Sequence, residues 1–522
     1  MRGSSRGMLL VGLLLIGAAW AALGQQQGGT LDFGLTGTIV TIDPGVAVDN
    51  AGMTVIRSCY DRLVTMTPDG TSVEPDLASS WTISDDGLTY TFYLVENATF
   101  HDGSVLTADA VKYSLERSIN LGKGWSDMLI EAVAEDGITV VGDYEIVINL
   151  TKPTPFFLDL LAMPGPASVL NPAIVDAHIT DEDPFAETFL YENVAGSGPF
   201  ELVEWVHSQY LAMERNDEYW DTPAYLDQVI MRSVPEASTA STMIQGGDLD
   251  IVGNLPPEVF AMLDARDDVN VVHTGTLGFS AFYFNCADAI LSNVLVRQAL
   301  SYAYDYDTTL AIAGPLGRPM SSLLLEGMMG HDPDLKPYEQ DLLMARGLLA
   351  QAGYPNGFEM TCFYPAWGTI PDLMVAAQAA FAEIGVTMEI QEVSFGPYLE
   401  AVNNGDSPMF AWEGGPSLND PHAHLYSRAH SSQIGTGSGG NLFNYSNGAV
   451  DALLVAGLNE VDQRKRAEIY TQVDRILYED AVAIWNWQEV DVRAVRANVH
   501  GFVMPVFGGD PDFSVIYMDP AE

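Results

Sequence analysis

Strand and helix signals are spread unevenly along this chain, and neither a long linker nor an internal repeat separates them. In the first half, apolar residues alternate on either side of turns, which is the pattern of β-hairpins. In the second half, helical and strand patterns alternate, as in layered α/β proteins. A chain of 522 residues is also too long for one compact core. We therefore predict an α/β fold with two lobes that share crossover segments, plus an antiparallel insertion.

The clearest local signals define two hairpins and a set of amphipathic helices. The hairpins span residues 77–94, turning at Asp85-Asp86-Gly87, and 199–213, turning at His207-Ser208. Thr107 is placed to cap a helix that continues to Arg117. Further predicted helices cover residues 238–245, 295–304, 340–352, 374–383 and 463–478. Strands are predicted at 249–252 and 386–390 and from 483 onward.

The charge balance excludes several classes of partner. Lys and Arg total 22 against 70 Asp and Glu, which gives a formal net charge of -48. Such a surface repels nucleic-acid phosphates, so we expect no nucleic-acid partner, and anionic membranes are disfavoured for the same reason. We interpret the charge as a solvated acidic surface rather than a cation-collecting one.

The cysteines do not define a disulfide scaffold. Cys59, Cys286 and Cys362 are too few for one and show no CxxC spacing. A single Cys286–Cys362 bridge is compatible with the sequence, and three free buried thiols are the interpretation that we favour.

The N-terminal residues resemble an export signal. Arg2 and Arg6 precede an apolar stretch over residues 8–23, and Ala22 and Gly24 are the small residues that a signal peptidase requires. The stretch also approaches the length of a membrane anchor, the alternative interpretation. We expect residues 1–24 to be removed near Gly24, leaving an exported, soluble periplasmic protein.

Five short segments, in order, carry a resemblance to a known family. They are Glu74-Pro75-Asp76-Leu77-Ala78 with Trp81; Phe100-His101-Asp102-Gly103 with Thr107-Ala108-Asp109; Gly196-Ser197-Gly198-Pro199-Phe200; Arg215-Asn216 with Tyr219-Trp220; and Phe284-Asn285 with Val296-Arg297-Gln298-Ala299. In these segments the chain resembles the extracellular solute-binding proteins of family 5, which serve dipeptide, oligopeptide and nickel ABC importers.

The resemblance implies a particular division of the chain. The family resemblance implies a two-lobe periplasmic-binding-protein fold (type II, cluster C-like), with an extra subdomain inserted in lobe I. Lobe I would comprise residues 28–277 and 485–522, with the subdomain at about 66–193, and lobe II residues 278–484. The chain would cross between lobes near Leu277 and Trp485, and such crossings act as hinges.

The same resemblance suggests a tryptophan contact with the ligand. Trp412 matches a position at which family members place a Trp on the ligand, although a buried Trp at a strand end is the alternative. Peptide-binding members usually carry an Asp three residues later, which pairs with the peptide ammonium group, and here that position is Gly415. Glu413 is the candidate to replace this Asp, and a solvent-facing Glu413 is the alternative.

Nickel uptake is disfavoured by the same comparison. Trp125 matches a Trp that faces the ligand in nickel-binding members, although a core position is equally compatible. Those members also carry an Arg at the position of Gly165, and it clamps a carboxylated metal chelate.

Two further pairs are candidates for the cleft. Trp485 and Trp487 project to one side of their strand if that strand is regular, and the core is the interpretation that we favour for them. Thr36 and Thr38 lie in a segment that matches a loop at the cleft border, and they are candidates for polar contacts.

One group of residues resembles a metal site. His422, His424 and His430 lie near Asp420, and imidazole binds transition metals. No second set of ligands with fixed spacing accompanies them, so we interpret them as surface histidines and expect neither a metal nor a cofactor.

The sequence favours a receptor over an enzyme. It contains no G-x-S-x-G and no H-E-x-x-H motif, although its many carboxylates leave an exported hydrolase as a remote alternative. We expect a monomeric substrate-binding protein that delivers a small solute, most plausibly short peptides, to an ABC permease and its ATPase. Receptors for oligosaccharides or metal chelates are the alternatives.

Overall fold

The computed structural model describes residues 27–416, 418–436, 440–460, 462–506 and 511–520. The expected signal peptide at residues 1–24 lies outside these residues. Within the described part of the chain, every helix is too short or too polar to cross a membrane.

The strands alternate with helices along most of the chain. The strands are β1 (Thr30–Leu35), β2 (Val64–Met66), β3 (Val73–Pro75), β4 (Ala78–Ile83), β5 (Thr89–Leu94), β6 (Val133–Gly142), β7 (Glu145–Leu150), β8 (Phe200–Val206), β9 (Tyr210–Arg215), β10 (Gln228–Ser233), β11 (Ile251–Gly253), β12 (Val269–Phe284), β13 (Gly317–Arg318), β14 (Glu359–Pro365), β15 (Thr387–Val393), β16 (Met409–Gly414), β17 (Ala483–Arg496), β18 (Val499–His500) and β19 (Tyr517–Met518). The α-helices are α1 (Asn50–Cys59), α2 (Ala108–Leu121), α3 (Asp127–Ala132), α4 (Phe157–Ala162), α5 (Pro172–Asp176), α6 (Glu187–Leu190), α7 (Ala237–Gly246), α8 (Pro257–Leu263), α9 (Val294–Ala303), α10 (Tyr306–Ala313), α11 (Leu342–Gln351), α12 (Ile370–Ala382), α13 (Phe395–Asn404), α14 (Pro421–Ala429), α15 (Gly448–Asn459) and α16 (Gln463–Glu479).

Two long strands connect the lobes. A sheet runs in the order β16-β12-β17-β11-β1-β10-β9-β8, with β13 added alongside β17. One half of β12 pairs with β17 beside β11, and the other half pairs with β17 and with β16. The register between β12 and β17 shifts between Gly275 and Phe279. The two-lobe α/β fold predicted from the sequence is confirmed. The shift separates the part of β12 that pairs with β17 beside β11 from the part that also pairs with β16.

A separate antiparallel sheet forms the core of the inserted subdomain. Its order is β4-β5-β7-β6. The alternating residues Tyr90, Phe92 and Leu94 of β5 are buried there, as period-2 patterning requires. The helix α2 packs on this sheet; Thr107 occupies its N-cap position without a capping hydrogen bond from its side chain, and Gly122 ends it with a φ of 60°.

Lobe II is built around the parallel pair β14 and β15 and the helices beside it. A second apolar cluster of this lobe packs α14, α15 and α16 against one face of β12, where Phe279 and Tyr283 are buried. The predicted helices and both predicted hairpins are present, and the helix predicted from residue 374 begins earlier, at Ile370. The three cysteines are free thiols, as we favoured, with Cys59 and Cys362 buried and Cys286 half-buried.

Candidate ligand-binding site

The main cavity lies between the two lobes, beside the crossover strands β12 and β17. Its volume is about 940 Å³. Lobe I contributes Asn50 and the segment that begins α8, the inserted subdomain contributes Trp125, and lobe II contributes the end of β16. The crossover strands form its floor at residues 276–278 and 489–492.

The charge in this cavity is negative. Glu413, Glu489 and Asp491 line it, and the described lining residues include no Lys, Arg or His. The charge of Asp491 is balanced by a residue that does not line the cavity: the Arg493 guanidinium donates to the two oxygens of the Asp491 carboxylate at 2.9 and 3.1 Å. The described residues supply neither a hydrogen bond nor an ion pair to the carboxyl groups of Glu413 and Glu489. The cavity therefore holds two carboxyl groups with unused hydrogen-bonding capacity.

Burial perturbs both of these carboxyl groups. Burial, together with the nearby charges of Glu413 and Asp491, raises the pKa of the Glu489 carboxyl from an ordinary 4.5 to about 7. Burial also raises the pKa of Glu413. A cationic ligand group would stabilise the ionised form of such carboxyl groups, because its attraction offsets the free energy that burial costs the charge.

Gly415 stands where peptide-binding members usually carry their Asp, and the structure explains why no side chain is present. A Cβ at this position would lie 2.7 Å from the Leu277 carbonyl oxygen. The end of β16 therefore packs against the backbone of β12 too closely for any residue larger than glycine. The negative charge enters the cavity instead from Glu413 and from Glu489.

Trp412 and Glu413 face opposite sides of β16. The Trp412 ring stacks on Tyr283, with 6.1 Å between centroids, and packs against the α14–α16 cluster of lobe II. Glu413 lines the cavity, whereas Trp412 is not among the lining residues. Successive side chains of a strand project to opposite faces, so only one of the two candidates reaches the cavity from this strand.

Trp485 and Trp487 project to different sides of β17, because this strand is not regular, which was the condition for the two side chains to share one side. Ser280 pairs with Trp487 and Ala281 pairs with Trp485, which leaves Asn486 as an extra residue. Such a bulge changes the direction of the side chains that flank it. Both side chains are buried in apolar clusters of lobe II, as we favoured: Trp485 packs against Phe279, and Trp487 belongs to the cluster around β14 and β15. Trp487 also lines the cavity.

The remaining predicted contacts lie at different distances from the cavity. Trp125 lines it, and its buried indole N–H has no partner among the described residues. Thr36 is not a lining residue, but its hydroxyl accepts a 2.8 Å hydrogen bond from the side chain of Asn254, which is one. Thr38 is exposed and borders a separate small cavity beside β8 and β9.

The histidines do not form a cluster, and the expectation that they lie at the surface is wrong for two of them. His422 and His424 are buried because α14 packs against the lobe II core on one side and the inserted subdomain on the other. The Nε2 of His424 lies 3.0 Å from the Leu323 carbonyl, and the Nδ1 of His430 lies 2.8 Å from the Ser432 hydroxyl. The described residues contain no group of side chains arranged to hold a metal ion.

Sequence reasoning missed Glu489 and Asp491. Glu489 and Asp491 lie two and four residues after Trp487. A strand places residues at this spacing on one face, so the alternation was the signal that could have found them.

A cavity between two lobes, floored by the strands that join them, defines a binding protein that encloses its ligand.

Comparison with known proteins identifies the family. The description "Bacterial extracellular solute-binding proteins, family 5 Middle" matches residues 72–436. The probable D,D-dipeptide-binding periplasmic protein of Escherichia coli (strain K12) is 32% identical over 473 residues, covering 89% of this chain and 89% of the relative. Heme-binding protein A of Haemophilus influenzae is 30% identical over 486 residues, covering 88% and 87%.

A solved structure agrees with these relatives. It is the periplasmic binding protein DppA of Helicobacter pylori in complex with the peptide STSA. It has a TM-score of 0.76 and 26% identity, covering 95% of this chain and 99% of the other. Each of these names describes a binding protein. The chain belongs to family 5 of the bacterial extracellular solute-binding proteins.

Proposed function

We propose that this protein captures short peptides by their free ammonium group and delivers them to an ABC permease. The observation that carries this proposal is the pair of half-buried carboxyl groups of Glu413 and Glu489, unpaired among the described residues, in a cavity whose described lining has no basic residue. An ammonium group placed between them would pair with a carboxylate at low dielectric, where such contacts gain strength.

The cavity size fits a ligand of several residues. Its volume of about 940 Å³ lies near the upper end of small-molecule pockets, which hold about 300–1,000 Å³. Trp125 and Trp487 supply rigid aromatic walls against which a peptide can pack.

The cavity is less suited to the other ligands considered. A heme would bring two propionates toward Glu413 and Glu489, and the described lining offers no His, Cys, Tyr or Met to its iron. A carboxylated metal chelate would meet the same repulsion. An oligosaccharide could stack on the tryptophans, but it would leave both carboxyl groups without a cation.

Delivery requires that the lobes close and open. We infer lobe I at residues 28–277 and 485–522, lobe II at 278–484, and the inserted subdomain at about 66–193. The register shift between Gly275 and Phe279 supports a hinge at this crossing. The ligand binds the closed state better and shifts the population toward it, and the closed monomer docks on the permease. Export with cleavage near Gly24 places the receptor in the periplasm.

Calorimetry with matched ligands tests the proposal. Protein purified without refolding is titrated with Ala-Ala-Ala, with its N-acetylated form, with heme and with a neutral trisaccharide. We expect micromolar binding of the free peptide and at least about a tenfold loss on acetylation, because acetylation removes the cation. Equal affinity for the two peptides, or tighter binding of heme or sugar, would overturn the proposal.

A matched pair of variants then tests the assignment of the carboxyl groups. Glu489→Gln should lower the affinity for the free peptide and leave the affinity for the acetylated peptide unchanged. Glu339→Gln removes a charge from an exposed position of lobe II and should leave both affinities unchanged.

A further inference from the structure

A second cavity of about 200 Å³ opens beside the main one. Asn50, Trp125 and Pro416 line both cavities, so a ligand in the main cavity can extend into the second around Trp125. We call it the side cavity. It lies between α1, the inserted subdomain and the lobe II segment that follows β16.

The side cavity is mainly apolar. Its apolar lining residues are Met53, Met66, Pro68, Trp125, Ala162, Met163, Pro164, Pro416, Leu418 and Pro505. Methionine side chains are flexible and polarisable, so they adapt to apolar groups of different shape.

Several polar residues of its wall are already engaged within the protein. Arg62 donates to the Thr65 hydroxyl at 2.8 Å. The Thr67 hydroxyl donates to Asp69 at 2.6 Å, and the Asp512 carboxylate accepts from the Ser514 hydroxyl at 2.6 Å. Not every polar group of the wall is engaged: the Arg62 Nε and the Asn419 Oδ1 have no hydrogen-bond partner among the described residues, and Asp159 also lines the cavity. The thioether and aliphatic surfaces are the contacts that an apolar ligand group would use.

Gly165 leaves room for Met53, one of the lining residues of this cavity. A Cβ at residue 165 would lie 3.0 Å from the Met53 Cε and 3.2 Å from the Met53 Sδ, so the Met53 side chain occupies the space that a larger residue would need. A φ of 100° also disfavours any other residue at this position. The thioether of Met53 thus lies where a side chain of residue 165 would begin.

We propose that the side cavity is a specificity subsite that takes one apolar side chain of the bound peptide, of the size of leucine, methionine or phenylalanine. A cavity of about 150 Å³ lined by apolar residues suffices to hold benzene, so about 200 Å³ accommodates a phenyl ring. The inference rests on the proposed peptide function, because the main chain of the peptide must lie in the main cavity for its side chain to pass Trp125.

A tripeptide panel tests the subsite. Ala-Ala-Ala is compared by calorimetry with the three peptides that carry one Phe at each position in turn. We expect one of the Phe peptides to bind at least about tenfold more tightly than Ala-Ala-Ala, because its ring leaves water for the side cavity. If no position favours Phe, the subsite does not exist.

Variants that fill the cavity locate the preference. Met163→Trp should remove the Phe preference and keep the affinity for Ala-Ala-Ala within about twofold. Met344→Trp, at an exposed position of α11, should keep the preference. If Met163→Trp lowers the melting temperature markedly, Met66→Trp fills the same cavity from β2. A Phe preference that survives in a folded filled variant would overturn the proposal.

The outcomes distinguish the two proposals. If Ala-Ala-Ala binds through its ammonium group but no Phe preference exists, only the subsite fails. If no tripeptide binds, or acetylation has no effect, the peptide function itself fails.

Discussion

The ring of Phe156, in the inserted subdomain, stacks on the ring of His422, in lobe II, with 6.2 Å between centroids and 20° between planes. Leu418 of lobe II is also buried in the apolar core of the inserted subdomain. The inserted subdomain and lobe II therefore touch here, away from the crossover strands. Contacts of this kind exist only when the lobes are together, so they favour the closed state.

Replacing Phe156 should shift the lobes toward the open state. We expect Phe156→Leu, which keeps apolar volume beside α4, to weaken peptide binding by about twofold to tenfold. This fold-change corresponds to the interaction free energy of one aromatic pair. Calorimetry measures the affinity, and small-angle X-ray scattering should give a larger radius of gyration for the unliganded variant. Tyr93→Leu, at an exposed position of β5 in the same subdomain, is the control. Wild-type affinity for Phe156→Leu would mean that this contact does not contribute to closure.

Glu489 should make the protein sensitive to pH in two opposite ways. In the unliganded protein its folded pKa is about 7, above the ordinary 4.5, so stability falls as pH rises from about 5 to about 7, by up to about 3 kcal/mol. The fall occurs because the unfolded chain loses this proton first. Scanning calorimetry should record it in the wild type, and Glu489→Gln should reduce it.

An ammonium ligand should reverse the sign of this effect. It pairs with the ionised carboxylate, so Glu489 should make binding tighter from about pH 6 to about pH 8 and release a proton at the lower value. Titration at pH 6 in buffers of different ionisation enthalpy measures the proton, and the affinity of Glu489→Gln should depend less on pH. If the wild type and the variant release the same number of protons, Glu489 is not the responsible group.

Asp420 and Arg466 form a buried ion pair that should be essential for lobe II. The two carboxylate oxygens accept from the Arg466 guanidinium at 2.6 and 2.9 Å, and both side chains are almost fully buried. Asp420→Asn keeps a capping group for α14 but leaves the Arg466 charge unpaired, which costs about 3–5 kcal/mol.

An exposed ion pair on α16, the helix that carries Arg466, provides the control for this prediction. Arg464 and Glu468 are exposed and 2.7 Å apart on α16, and Glu468→Gln should cost no more than about 0.5 kcal/mol. Calorimetric melting temperatures should therefore fall by several degrees for Asp420→Asn and barely change for Glu468→Gln. Similar melting temperatures for the two variants would contradict the importance of the buried pair.

The contact between Gly165 and Met53 can be isolated with a second glycine. Gly165 and Gly353 have φ values of 100° and 95°, but a Cβ at residue 353 would meet nothing within 4 Å. Gly353→Ala should therefore report backbone strain alone, about 1–2 kcal/mol. Gly165→Ala should cost more, because Met53 must move, and it should also lower the Phe preference of the tripeptide panel. Equal melting temperatures for the two variants would mean that Met53 adjusts freely.

Local pattern was sufficient for the secondary structure because the forces that decide it act over a few residues. The hairpin of β4 and β5 follows from alternating apolar residues around a turn, and α16 follows from its amphipathic period. The five ordered motifs were sufficient to identify the family. The family resemblance at other positions indicated Trp125 and Glu413 as candidates, and both line the cavity.

The sequence by itself thus determined the α/β elements, the two-lobe class and the negative charge, because composition and periodicity are properties of the chain. The tertiary structure alone decided which side chains face the ligand cavity. Trp485 and Trp487 separate at a bulge that depends on pairing with β12, and Gly415 is required by a close approach of Leu277 from a distant part of the chain. Glu489 acquires its raised pKa only where folding buries it and brings Glu413 near. Contacts between residues far apart in sequence leave no local pattern, so only the folded arrangement reveals them.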